Sequence, residues 1–434
     1  MNKRILSLVI PNIITNITVP LLGMVDLAIA GHIGDETFIG AIAIATMIFN
    51  MIYWNFGFLR MGTTGFTAQA YGTKNKDEEA KILFNALFIA LSIAILLIIL
   101  QLPILNFSFL LIPNNSHIKD LVSQYFLIRI WAAPAVLILY VIKGWFIGMQ
   151  NSKQPMWIAI VINIMNILFS IILAVIYGMG IKGVALGTVI AQYSGLLLCI
   201  IILFTRYKDI LIKIDINTFF NKYELVKFFK VNTDIFLRTI CLILVFTFIP
   251  SEGAKYGDLV LAINTLLMQF FTLFSYIMDG FAYAGEALIG RYIGAKDKKS
   301  LISVVKKLFL WGISISIIFI IIYALFGQQL LWIFTDHINV IQATNEYYFW
   351  VLVVPLAGFS AFLWDGIYIG ATASKYMRNA MFIATSIFFI IYYSLNSYMG
   401  NNALWVAFIS YLFFRGLMQY IYSEKAIFND KNFQ

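Results

Sequence analysis

The sequence predicts an all-α membrane protein of twelve transmembrane helices, arranged as two six-helix lobes related by a pseudo-twofold axis along the membrane normal. Three observations carry this expectation. The 434 residues are 61% hydrophobic and only 12% charged, whereas a soluble chain has roughly 45–50% apolar and about 25% charged residues. Apolar runs of membrane-crossing length recur twelve times, and the chain resembles itself at a spacing of 222 residues.

A span needs roughly 20 apolar residues, and the runs fall at approximately 5–30, 37–66, 82–102, 122–147, 156–178, 184–205, 228–250, 258–289, 303–326, 347–372, 379–398 and 402–422. The first follows a basic start and has the look of a signal peptide. Pro11, Asn12 and Asn16 interrupt it and no small-residue cleavage site follows, so it is read as a retained helix. The later runs are separated by glycine, proline and polar clusters, notably at 31–36, 72–79, 113–116, 151–155, 178–183 and 294–300.

With the N-terminus in the cytoplasm, 22 of the 30 Lys and Arg residues lie on the inner side. Three, Lys119, Lys182 and Lys255, lie outside, and five, Arg60, Arg129, Lys143, Arg238 and Arg415, lie within spans. This bias places both termini in the cytoplasm of a multi-pass protein, expected in the bacterial inner membrane. The net charge of +9 is then mostly topological, with some attraction for anionic membrane lipids. A nucleic-acid partner is excluded, because no soluble domain exists to present a basic face. Cys199 and Cys241 sit in apolar runs and His32, His117 and His337 in separate connectors, so neither a metal site nor a cofactor is expected. With no His-rich or Ser-His-Asp cluster, an enzyme is the least favoured class.

The self-match pairs KGWFIGMQNSK at 143–153 with DGIYIGATASK at 365–375, and Gly72, Lys74 and Lys76 with Gly294, Lys296 and Lys298; a spacing of 223 pairs Gly34-Asp35 with Gly257-Asp258. Two lobes follow, 1–205 and 228–434, joined by a charged cytoplasmic connector at 206–227. Six spans is an even number, so both lobes enter from the same side, and parallel repeats of this kind are a transporter architecture.

The motifs GFLRMGTTGFTAQAYG at 57–72, IFLRT at 235–239, DGFAYAGEALIGRYIGA at 279–295 and the two repeat segments resemble those of the MATE (multidrug and toxic compound extrusion) transporters, and specifically their DinF branch. The resemblance covers nearly the whole chain. It implies a monomeric, V-shaped pair of lobes that alternate access and export small amphipathic, often cationic substrates against inward H+ or Na+. H+ is the expected coupling ion and Na+ the alternative; a lipid-linked saccharide flippase is another activity of the same superfamily.

Coupling needs a group whose charge changes, and an ionisable side chain inside a span is a candidate by default. The carboxylates so placed are Asp26, Asp279, Glu286 and Asp365. Asp26 leads, because it follows Pro11, read as a helix hinge, by fifteen residues, and the family's proton-linked aspartate likewise follows a kink-forming proline. A helix ending near Ala30 would bring the negative end of the dipole about 6 Å from Asp26, opposing its ionisation along with partial burial. The bland reading is an interfacial aspartate in contact with water. On the fifth span, where proton-coupled members carry Asn and then Asp four residues on, this chain has Asn166 and Ser170, with Asn163 one turn earlier; Thr188 falls where a family threonine is expected.

Lys143 occupies the repeat position of Asp365. A buried lysine needs a partner, and three placements are open: pairing with Asp26, pairing with Asp365, or reaching the inner interface. In the second lobe, Asp279 and Glu286 lie about two turns apart on one helix face with Arg238 at a depth between them. That set is either an ion-coupling site or a static charge cluster. Asp234 reads as a helix-start residue or a local partner of Arg238. Met24, Met61, Tyr140 and Trp145 are candidates for an adaptable cavity wall.

Overall fold

Each run expected to cross the bilayer is helical in the computed structural model, which describes residues 1–33, 36–111, 116–211, 222–430 and 433. Among these residues twelve helical stretches are long and apolar enough to span a membrane, and no strand occurs. The chain groups into two units, one of residues Ile14–Phe228, the other of Phe229–Gln434 together with Met1–Ile13. Much of the expected inter-lobe connector, residues 212–221, lies outside the described residues, as does the Gly34-Asp35 half of the second self-match.

The first unit takes α1 (Asn2–Ile33) from Ile14 onward, then α2 (Glu36–Asn55), α3 (Phe58–Thr73), α4 (Lys76–Ile99), α5 (Gln101–Ser108), α6 (Ser116–Arg129), α7 (Ala133–Gly148), α8 (Lys153–Ile171), α9 (Gly180–Arg206) and α10 (Lys208–Leu211). Two spans expected as single helices are each made of two. A tight turn at Phe56 and Gly57 separates α2 from α3, and a short turn at Ile130–Ala132 separates α6 from α7. Pro134 stands at the start of α7, where its missing N–H costs no intrahelical bond.

The second unit takes α11 (Lys222–Lys255) from Phe229 onward, α12 (Asp258–Gly294), α13 (Lys298–Phe334), α14 (Ile338–Thr344), α15 (Tyr348–Gly370), α16 (Ser374–Met399) and α17 (Asn401–Ala426). The first turns of α1 belong with it: Arg4 donates to the Tyr292 hydroxyl on α12 at 3.2 Å. The helix is continuous through Pro11 and Pro20.

The internal repeat reaches down to backbone conformation. Lys74 and Lys296 both have positive φ (58° and 54°), as do Gln150 and Thr372 (62° and 52°) and Gly178 and Gly400 (68° and 52°), each pair 222 residues apart. At the same spacing, Asn75 and Asp297 cap α4 and α13, accepting the backbone N–H of Glu78 at 3.2 Å and of Ser300 at 2.9 Å. Such caps satisfy helix-end donors that otherwise have no partner. Gly144 and Gly366 also correspond. A side chain at Gly144 would meet the Arg60 carbonyl at 2.4 Å, and one at Gly366 the Ala282 carbonyl at 2.1 Å, so α7 rests directly on α3 and α15 on α12.

Candidate functional site

Three helices of the first unit, α6, α8 and α9, bring side chains to Asp26 on α1, which is fully buried. Tyr125 on α6 donates to its Oδ2 at 3.2 Å, Thr188 on α9 to Oδ2 at 3.3 Å, and Asn166 Nδ2 on α8 to Oδ1 at 3.3 Å. Asn166 Nδ2 also lies 3.0 Å from Thr188 Oγ1 and 3.4 Å from Ser170 Oγ, while its own Oδ1 is buried without a partner. Behind Tyr125 stands Arg129, whose Nη1 donates to the Tyr125 hydroxyl at 2.8 Å and to Thr46 on α2 at 3.4 Å. Its guanidinium lies 4.8 Å over the Phe49 ring.

The local sequence explains the convergence. A side chain added at Gly187 would come within 2.5 Å of Ser170 Oγ, so α9 presses against α8 at Ser170 and carries Thr188 to Asp26. One turn before Asn166, Asn163 donates to the Thr18 carbonyl at 3.1 Å and ties α8 to α1. The arrangement is one acid, three neutral donors and one guanidinium a hydroxyl away. A carboxylate set in this way exists with or without a proton, and a group of that kind inside a span is what ion coupling requires.

Several expectations change here. The helix runs to Ile33, not Ala30, which places its negative end about 10 Å beyond Asp26, outside the last turn where the dipole acts. Burial among helices, not the interface, defines the site, and contact with bulk water is ruled out for the side chain. Lys143 is not brought to Asp26. Among the described residues it makes no hydrogen bond or ion pair; it is half-buried on α7 with its head toward Cys199 on α9. Of the proposed cavity residues, Trp145 is instead core, fully buried and donating to the Glu79 carbonyl at 2.9 Å. Met24 is exposed, while Met61 and Tyr140 are half-buried.

In the second unit, Asp365 on α15 is ion-paired by both Arg238 on α11 and Arg415 on α17, and accepts from Gln419 Nε2 at 2.6 Å. The Gln419 carbonyl accepts from Tyr368 at 2.6 Å. All four polar residues of this clamp are buried. Asp279 and Glu286 on α12 lie within electrostatic reach of Arg238, as their spacing suggests, but the ion pair that Arg238 makes is with Asp365. Asp234 is neither a helix start nor a partner of Arg238: it sits well inside α11 and holds Arg378 at 2.5 Å and Ser374 at 2.9 Å, both on α16.

Sequence reasoning missed Tyr125 and Gln419, and gave Arg129 and Arg415 no place in either cluster. A signal was present in each case: Tyr125 and Arg129 are four residues apart, as are Arg415 and Gln419, so each pair makes a polar stripe on one face of an apolar helix.

Comparison with known proteins agrees with this architecture. The MatE family model matches residues 11–172 and 235–394, two stretches that mirror the internal repeat. The chain is 34% identical over 416 residues to DNA damage-inducible protein F of Escherichia coli K12, covering 96% of this chain and 90% of that one. It is 22% identical to a probable multidrug resistance protein NorM of Thermotoga maritima, covering 79% and 74%. A crystal structure of MATE in the bent conformation superposes with a TM-score of 0.87 at 18% identity, covering 98% of this chain and 95% of the other. An outward-facing multidrug resistance MATE transporter of the MOP superfamily gives 0.84 over the same shares. Twelve membrane-crossing helices, a repeated backbone and a buried carboxylate thus accompany a match over most of the sequence, and the chain belongs to the MatE family of multidrug-type membrane transporters, which are not enzymes and need no cofactor.

Proposed function

We propose that this transporter is a proton-coupled antiporter that exports small amphipathic or cationic compounds across the bacterial inner membrane by alternating access. In this reading it works as a monomer among membrane lipids, with both termini in the cytoplasm and with lobes 1–205 and 228–434, joined by the 206–227 connector, alternating access by a rocker motion. The observation that carries the reading is the setting of Asp26. A fully buried carboxylate held by three neutral donors changes the charge of its surroundings with a single proton, and such a change is what biases one conformation over another. With Ser170 where a second acid would stand, the proton is not shared, and one carboxylate carries the step.

A sodium-coupled reading is favoured by one feature, the unpartnered Asn166 Oδ1 beside the carboxylate and the Ser170 and Thr188 hydroxyls. Against it, both Asp26 oxygens are faced by N–H or O–H donors, which repel a cation. The Asp365 clamp is assigned a structural role: two guanidiniums and Gln419 contact that carboxylate, and the contacts bind α11, α15 and α17 together.

The test is purified protein in liposomes, with efflux of the fluorescent cation ethidium followed under an imposed pH gradient or sodium gradient. Wild type is expected to respond to the pH gradient and Asp26→Asn to lose that response. Full transport on a sodium gradient with none on a pH gradient would overturn the proton reading.

A further inference from the structure

Arg129 is a buried guanidinium with no carboxylate in ion-pair range among the described residues. Its donors go to the Tyr125 hydroxyl and to Thr46, and its face rests on Phe49. The acid it reaches is Asp26, through Tyr125. The remaining titratable groups around this centre are phenols: Tyr125 on α6 and Tyr53 on α2, with Tyr140 on α7 and Tyr193 on α9 farther out. From α8 come Asn166 and Ser170, and from α9 Thr188, none of them charged. Arg129 is therefore the charged side chain that acts on Asp26.

We propose that Arg129 makes this site select a proton over sodium, acting as a positioning residue through Tyr125. The inference rests on the proton-coupled reading and adds to it the residue that enforces the choice. Two physical effects support it. An N–H from Arg129 points at the Tyr125 oxygen, so the hydroxyl hydrogen of Tyr125 turns to Asp26 and the oxygen is withdrawn from service as a cation ligand. The fixed positive charge also balances ionised Asp26, so any added cation leaves the pocket with an uncompensated charge. A proton tolerates this, because it forms a covalent O–H bond and needs no further ligand. Sodium forms no covalent bond and needs several oxygens at once, and with the Tyr125 oxygen withdrawn and the charge already balanced, Asn166 Oδ1 and the Ser170 and Thr188 hydroxyls are too few to hold it. A guanidinium suits the role better than an ammonium free to lose its proton, since it stays charged at any physiological pH.

The experiment uses the full chain in liposomes with ethidium efflux, comparing wild type with Arg129→Gln, Arg129→Lys and Tyr125→Phe under pH and sodium gradients. In Arg129→Gln the midpoint of the pH profile is expected to move up by about 1–2 units, since a tenfold change in proton affinity is one unit. A sodium gradient, inert for wild type, is expected to drive efflux in this variant. Arg129→Lys restores the charge and is expected to return both properties towards wild type. Tyr125→Phe leaves the guanidinium in place but cuts the link, and is expected to move the midpoint in the same direction by less. An Arg129→Gln midpoint at the wild-type value with no sodium response overturns the inference, and so does Arg129→Lys behaving like Arg129→Gln, which would make the role one of packing on Phe49. Should Arg129→Gln fail to assemble, an unmoved Tyr125→Phe profile overturns it equally. A wild type driven by sodium alone overturns the proton reading itself, whereas a pH-driven wild type with unmoved variants overturns the role of Arg129 alone.

Discussion

Gly144 and Gly366, 222 residues apart, make the same contact in the two halves of the chain. Each lets one helix lie on the backbone of another, at Arg60 in the first case and at Ala282 in the second. A methyl group at either position would meet a carbonyl oxygen well inside contact distance, and backbone cannot step aside as a flexible side chain can. Gly366→Ala and Gly144→Ala are therefore each expected to destabilise the protein by about 1–3 kcal/mol, the usual cost of overpacking. Gly40, with nothing within 4 Å of an added Cβ, supplies the control: Gly40→Ala is expected to unfold in detergent no earlier than wild type, while both close-contact variants unfold at lower temperature.

The Asp365 clamp predicts an asymmetry. Removing Arg415 leaves Asp365 with Arg238 and Gln419, still a paired charge. Removing the carboxylate takes from two buried guanidiniums the anion that both of them contact. Breaking a buried pair typically costs 3–5 kcal/mol, so Asp365→Asn is expected to lower thermal stability markedly more than Arg415→Met. Equal losses from the two variants in a detergent melt would contradict the clamp.

The caps at the N-termini of α4 and α13 differ in one respect, since Asn75 cannot titrate and Asp297 can. Hydrogen bonds from Ser300, through its hydroxyl and its backbone N–H, hold the Asp297 carboxyl below the usual carboxylate range. The folded value being depressed, this stabilisation is fully present above the unfolded value of about 3.9 and is lost as pH falls through the folded value. Asp297→Ala is expected to cost roughly 1 kcal/mol at neutral pH, less in high salt, which screens the charge of this half-buried group. The gap between wild type and variant in thermal unfolding is expected to narrow on acidification below about pH 4, whereas the gap for Asn75→Ala stays constant.

What the chain reveals before folding and what it conceals have a common physical cause. Span number and orientation follow from composition and from Lys and Arg placement, which are properties summed along the sequence. The repeat is legible because turn residues such as Lys74 and Lys296, or Gly178 and Gly400, must satisfy the same backbone conformation twice. Side-chain partners depend on the rotational phase of helices distant in sequence. Asp26 meets groups 99, 140 and 162 positions away, and charge complementarity alone directs attention to Lys143, which lies on α7, a helix that contributes no hydrogen bond to the carboxylate. Asn166, Ser170 and Thr188 were found through a family pattern, whereas Tyr125 and Arg129 lay outside any such pattern and needed the packing of α6 against α2 and α9.

Thr188 separates the chemistry of the site from its scaffold. The hydroxyl donates to Asp26 Oδ2 at 3.3 Å and lies 3.1 Å from the Val184 carbonyl of its own helix, while the helix contact that positions it is made next door by Gly187 against Ser170. Thr188→Val keeps the side-chain shape and removes the donor. A hydrogen bond to a charged group is worth about 1.5–3 kcal/mol, and one pH unit corresponds to roughly 1.4 kcal/mol. The ionised carboxylate loses that support, so the pH profile of ethidium efflux is expected to shift upward by about one unit, with the melting temperature close to wild type. Gly187→Val has the opposite signature: it forces α8 and α9 apart, and is expected to lower the melting temperature and transport together at every pH. If Thr188→Val lost transport uniformly across pH without moving the midpoint, Thr188 would be serving substrate passage or packing, and the hydrogen bond to Asp26 would have no part in setting when the proton leaves.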